Sequence, residues 1–203
     1  NQGHFLGEMG TNQGNYTGTG LTMKFADPNG RIVNVYQQLN NVYDQQYMEH
    51  ADQEGYYHAF KGLMDRSLHH EVYSTISVRA HNNEYFFSKV PLMKMLDYSR
   101  SNGIPVWTEL QLLEFIKAKD EATFTEINWT GDRLTFTIHS SLTHQNGITC
   151  LIPYTYNGKN VTEIISNGTS QSFAVKSIKG LDYAWITIKP GSNYNVEVSY
   201  TDQ

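Results

Sequence analysis

The sequence predicts an α/β portion followed by an all-β portion, and three observations carry that prediction. Between residues 56 and 120, stretches of helical and strand periodicity alternate; after residue 124, short strand-like runs follow one another with turn signals between them. No Pro/Gly/Ser-rich linker separates the two textures. Alternating helices and strands imply a parallel sheet with right-handed crossovers. A train of short strands implies an antiparallel β-sandwich. The change of texture puts the boundary near Ala122, giving portions 1–122 and 123–203.

Residues 1–20 are rich in Gly, Asn and Thr and lack periodicity, so they read as loop. Two strand-like runs follow in "LTMKFADPNGRIVNVYQQL". Pro28 and Gly30 suit the second and fourth positions of a type I turn between them. Tyr57, Phe60, Met64 and Leu68 recur at helical spacing and predict a helix over about 56–69. "VYSTISVRAH" is β-branched and alternating, which predicts a strand. Ser88 as cap, Pro91 in the first turn, Val90, Met93 and Leu96 on one face, and Gly103 as terminator predict a helix over 89–102. "IPVW" reads as a short apolar strand. Thr108 with Gln111 three residues on forms a capping box for a last helix, which fades near Asp120. Beyond it, the runs "TEINWTG", "RLTFTIHS", "ITCLIPYTY", "VTEIIS", "SFAVKSI", "YAWITIKP" and "NYNVEVSY" are strand-like, and Asn-Gly, Lys-Gly and Pro-Gly signals lie among the turns between them.

Composition narrows the partners. The chain has 203 residues, 17% charged, with a net charge of -5 and no Lys/Arg run. That argues against nucleic acid, whose phosphates demand a basic face. No apolar run approaches the roughly 18 residues that span a membrane. A single cysteine, Cys150, excludes an internal disulfide and reads as a buried strand thiol.

The stretch "SVRAHNNEYFF…LMKMLDYSRSNGIPVWTELQLLEFI" resembles the last strand–helix–strand–helix of the polysaccharide deacetylase family, a distorted (β/α) barrel. In that family a late strand ends in a histidine. A helix follows, then Gly-aliphatic-x-aliphatic, then Thr and a leucine-rich helix. Here those elements are Arg79-Ala80-His81, the 89–102 helix, Gly103 to Trp107, and Thr108 onward; Arg79 stands where the family usually has an aliphatic residue. "GTGLTMKFADPNGRIVNVYQQL", "INWTGDRLTFTI" and "IKGLDYAWITIKPGSNYNVEVSY" are similar to segments of secreted bacterial proteins in which such a barrel precedes a C-terminal β-sandwich. The resemblance implies a partial deacetylase-like (β/α) barrel at 1–122 and a sandwich at 123–203. It implies metal-dependent hydrolysis of acyl groups on a polysaccharide or oligosaccharide, outside the cytoplasm. The alternative is a non-catalytic glycan-binding or structural module of a secreted protein. The family holds a divalent metal such as zinc through an Asp and two His, with a further Asp as base. This chain has no equivalent of those motifs, so no cofactor is assignable from it, and the missing first half of the barrel becomes an expected partner.

His81 is the leading candidate for chemistry. Barrel strands deliver side chains to the cleft at their C-terminal ends, and histidine exchanges a proton near neutral pH. The resemblance makes it the general acid toward the leaving sugar oxygen; the plain alternative is a hydrogen-bonded histidine at a strand end. Asp44 either lines the same cleft, orienting a histidine or binding sugar hydroxyls, or is a solvated loop residue. Arg79 either faces substrate or pairs with an acid. Glu84 and Tyr85 follow His81 and fall on the cleft rim. Trp107 is either core or cleft wall, whereas Trp129 and Trp185 read as core. His50, His58 and the pair His69-His70 lack ligand spacing for a metal, Gly55 interrupting any helix between the first two. His139 and His144 read as surface decoration of the sandwich.

Overall fold

The computed structural model describes residues 4–6, 15–17, 22–38, 40–69, 75–142, 144, 146–189 and 191–202. Strands β1 (His4–Leu6) and β2 (Asn15–Thr17) pair antiparallel where composition suggested only loop. β3 (Met23–Ala26) and β4 (Ile32–Gln37) form the expected hairpin. Asp27 builds its turn, the carboxylate accepting from the backbone N–H groups of Asn29 and Arg31, both at 2.9 Å.

β5 (Val42–Tyr43) leads through α1 (Gln45–Met48) and α2 (Gln53–His69) to β6 (Val78–Arg79). The two strands run parallel, with Val42 opposite Val78 and Tyr43 opposite Arg79. A parallel crossover is therefore present, but it joins 42–43 to 78–79 and is not the one expected between the runs at 72–81 and 104–107. Of the strand expected over "VYSTISVRAH", residues 72–74 lie outside the described residues and only Val78–Arg79 is strand. Asp52 caps α2, its carboxylate accepting from Gly55 N–H at 2.7 Å. A Cβ on residue 55 would sit 2.0 Å from that carboxylate, which would have to turn aside to admit one. Gly55 thus lies inside the first turn of α2 instead of interrupting it. The buried stripe is Tyr56, Ala59, Phe60, Leu63 and Met64. It is rotated from the stripe expected through Tyr57 and Leu68, and Leu68 is exposed.

One 3-10 turn (Asn82–Glu84) leads into α3 (Tyr85–Ser101). The helix starts before the expected cap, so Ser88 is a buried interior residue and Pro91 lies inside the helix. Proline has no N–H for the carbonyl four residues back. That carbonyl, on Phe87, accepts instead from the Gln53 side-chain amide at 2.8 Å. Gly103 ends the helix as expected, and Ile104 N–H returns to Ser99 O at 2.8 Å. The run 104–107 is not a strand: Ile104 has spent its donor on the helix end, and Pro105 has none to offer a ladder. α4 (Glu109–Glu121) carries the full capping box of Thr108 and Gln111.

The chain divides into two units, Asn1–Val106 and Trp107–Gln203. The sequence placed the change near Ala122. The earlier division follows from α4, whose Ala118 is buried in the core of the second unit with Phe115 packed against it. The first unit has its own core, built by Val42, Tyr47, Tyr56, Ala59, Phe60, Leu63, Met64 and Met95.

The second unit adds β7 (Thr123–Thr130), β8 (Arg133–His139), β9 (Ile148–Pro153), β10 (Thr155–Tyr156), β11 (Lys159–Ser166), β12 (Thr169–Ser170), β13 (Ala174–Ile178), β14 (Leu181–Ile188) and β15 (Tyr194–Thr201). They form two antiparallel sheets, one of six strands in the order β10-β11-β15-β8-β7 with β12 beside β11, the other β13-β14-β9. Alternate residues of both sheets share one core: Leu134, Phe136 and Ile138 from β8, Val196, Val198 and Tyr200 from β15, Ile148, Cys150 and Ile152 from β9, Ala184, Ile186 and Ile188 from β14. Each fully buried aliphatic chain contributes about 1.5–3 kcal/mol. Asn157-Gly158 turns β10 into β11 with both residues at positive φ, the backbone that matches strand twist in a two-residue hairpin. Burial pushes the Cys150 thiol up to about 12, consistent with the inert packing role expected for it.

Three side chains of this unit differ from expectation. Trp185 lies between the buried Ala184 and Ile186 on β14, is only partly buried, and carries the Lys176 ammonium 4.7 Å from its ring centre instead of sitting in the core. His144 is buried, with Trp107 and Phe115 packed on its ring, and does not decorate the surface. Trp129 points to the inner face of its sheet, opposite Leu134, yet is 36% exposed because β7 is an edge strand.

Candidate active site

Two parallel strands that end side by side bring their following residues together. Asp44 comes directly after β5 and His81 two residues after β6. Asp44 is fully buried; His81 is 30% exposed. Asp44 Oδ1 meets His81 Nδ1 at 2.7 Å. Its Oδ2 accepts from the His81 backbone N–H at 2.7 Å and from the Ser88 hydroxyl at 2.9 Å. Asp44 is therefore not a solvated loop residue; it orients a histidine.

The geometry sets the electrostatics. Burial alone would raise the Asp44 carboxyl. The His81 backbone N–H, the His81 ring and the Ser88 hydroxyl outweigh it and hold the group below the usual carboxylate value. An ionised carboxylate only accepts, so Nδ1 of His81 carries the proton and donates it. Nε2 is then the ring nitrogen available for proton exchange, with the ring's orientation held by Asp44.

The support extends one layer further. The Tyr56 hydroxyl donates to Arg79 O at 2.7 Å, and the same carbonyl accepts from Asp44 N–H at 3.2 Å. Tyr56 is fully buried, with Tyr47 and Phe87 against its ring. Burial and the Asp44 charge both push its phenol up, so it stays a neutral donor.

The other expected residues divide. Arg79 is exposed on β6, and among the described residues no carboxylate pairs with it. Glu84 closes the 3-10 turn, its N–H on His81 O at 3.0 Å and its carboxylate accepting from Asn83 at 3.0 Å. Tyr85 begins α3 and is half exposed, with the Lys89 ammonium 5.6 Å from its ring centre. These three follow or flank His81 in the chain. Trp107 belongs to the second unit, its ring 5.3 Å from Phe115 and 5.1 Å from His144. Ser88 and Tyr56 were missed as site residues. Ser88 carried a cap signal and Tyr56 fell off the expected helical stripe. Their roles depend on contacts 44 and 23 residues away.

The described residues do not fit a divalent metal. Among the described residues, no group of three His, Cys, Asp or Glu comes together to hold one. Both Asp44 oxygens are occupied by hydrogen bonds. His58 lies 4.0 Å from Glu54 with no third donor, and His70 lies outside the described residues. No described helix is long and apolar enough to cross a membrane. Comparison with models of protein families, with curated proteins and with solved structures finds no match.

Proposed function

We propose that the first unit is the proton-transfer part of a carbohydrate-active hydrolase that removes acyl groups from a glycan, in the manner of polysaccharide deacetylases. The observation that carries the reading is the buried Asp44 fixing the His81 ring with Nε2 free for proton exchange. In acyl hydrolysis the bond between the carbonyl carbon and the sugar oxygen breaks. The water oxygen stays with the acid, and the sugar oxygen needs a proton. His81 donates that proton from Nε2, and Asp44 stabilises the imidazolium that precedes donation. Asp44 and Ser88 position the ring without touching substrate.

The two-strand parallel pair supports the (β/α)-barrel part of this reading. Parallel strands are normally covered on both faces by helices and flanked by further strands. On α3, Phe86 is 91% exposed and Val90 and Met93 lie on the same face, about half exposed. Such a face suits the remaining portion of a barrel, which would bring the divalent metal that the described residues do not fit. A polymeric glycan substrate places the work outside the cytoplasm. A second reading, glycan binding without turnover, is favoured by the exposed Arg79 and Tyr85 beside His81, which suit sugar hydroxyls and a ring face.

The test is release of acetate from an acetylated oligosaccharide by the full gene product, with and without added zinc. His81→Ala is expected to lower kcat by about 10²–10⁴. His81→Ala with an unchanged rate sinks the proposal. Saturable glycan binding with no acetate from any variant selects the second reading.

A further inference from the structure

We infer that the second unit binds a pyranose ring of a neutral glycan on Trp129, at the mouth of its curled six-stranded sheet. This rests on the glycan part of the reading above and is independent of hydrolysis. β7 and β10 lie at opposite ends of the strand order, yet the rings of Trp129 and Tyr156 stack 3.8 Å apart at 25°. The sheet therefore curls enough for side chains of its two edge strands to meet at this end. Tyr200, from the central strand β15, lies 5.3 Å from Trp129 beneath them. An ion pair spans the same edges, Lys159 at the start of β11 reaching Asp132 in the β7–β8 turn at 2.6 Å and Asp202 at 3.7 Å.

Three features select the ligand. At the level of Trp129 its sheet neighbours Leu134 and Val198 are 7% and 0% exposed, while Trp129 keeps 36%. Tyr156 occupies one face of the indole, so the exposure falls on the other face and the rim. The stack also fixes the ring beforehand, so little side-chain freedom is lost when a ligand arrives. A flat apolar surface bordered by charged groups matches a sugar ring, with its apolar C–H face and its peripheral hydroxyls. A nucleobase also stacks on indole. However, two carboxylates against one ammonium leave this mouth net negative, within a chain of net charge -5. That repels a phosphate backbone.

Calorimetric titration of the full chain with a β-1,4-linked glucose hexamer, an N-acetylglucosamine hexamer and an oligothymidylate tests the inference. Saturable binding of at least one hexamer is expected, weakened about tenfold or more by Trp129→Ala, as for truncation of an anchoring aromatic. Trp129→Phe keeps an aromatic on Tyr156, and is expected to retain binding within a few-fold. A thermal melt of each variant separates lost binding from lost folding. No binding of either hexamer overturns the inference. So does equal affinity in the wild type and Trp129→Ala, or tighter binding of the oligothymidylate. Acetate release is read separately. Its loss in His81→Ala bears only on the first unit, and loss of hexamer binding in Trp129→Ala only on the second.

Discussion

Asp44 stands fully buried with three donors on two oxygens, and its consequences can be measured without a substrate. A carboxyl held below its ordinary value of 3.8 stabilises the fold above the unfolded value. That contribution is lost as pH falls through the folded value. Unfolding followed from pH 7 to pH 2 should therefore show a loss of stability below about pH 4 that is smaller in Asp44→Asn than in the wild type. Glu54, Asp65 and Glu121 are lowered as well, so the difference between the two proteins isolates Asp44. An identical acid slope in both proteins would contradict the assignment. Ser88→Ala removes one hydrogen bond to a buried charge and should cost about 1.5–3 kcal/mol in urea unfolding. At this scale the sequence was partly legible. A histidine at a strand end is a local signal, and His81 could be found from it. The partnership of Asp44 with His81 spans 37 residues and follows from the parallel crossover, which no local pattern encodes. Ser88 shows the converse, since a serine before a helical run resembles a cap whether or not the helix has already begun.

At the scale of elements, the irregular residue of α3 explains a contact between helices. Pro91 leaves Phe87 O without its helical donor, and Gln53 at the start of α2 supplies one. Gln53→Ala should cost about 1 kcal/mol, the net worth of a partly buried hydrogen bond. Pro91→Ala restores an N–H at the helical position, so in that background the cost of Gln53→Ala should nearly vanish. A double-mutant cycle by urea unfolding reads this coupling, and additive effects would show that the contact is incidental. Elements with strong local signals were legible: the capping box of α4, the hairpin turn at Asp27, and the β-branched strands of the second unit. "IPVW" was not. Its four apolar residues satisfy a strand pattern, but Ile104 finishes the preceding helix and Pro105 cannot join a ladder, so backbone donors overrode periodicity.

For the whole molecule, the question is to which unit α4 belongs. Texture alone joins it to the helices before it and divides the chain near Ala122. Packing joins it to the strands after it: Ala118 is fully buried in the second core, Phe115 packs against that core, and Trp107 and Phe115 cover the buried His144. An amphipathic helix derives most of its stability from the face it buries, so it should fold with the unit that receives that face. Two fragments decide the matter. Residues 107–203 should unfold cooperatively, with near-ultraviolet dichroism from a fixed aromatic environment. Residues 123–203 lose Phe115, Ala118 and the cover over His144, and should be less stable by about 3–5 kcal/mol, as for deletion of a large core aromatic. Equal stability of the two fragments would return α4 to the first unit and restore the boundary near Ala122. If the longer fragment is the stable one, the first unit has, among the described residues, a single parallel pair of two-residue strands beside its two long helices and its antiparallel hairpins. The exposed apolar face of α3 is then where its remaining stabilisation has to be found.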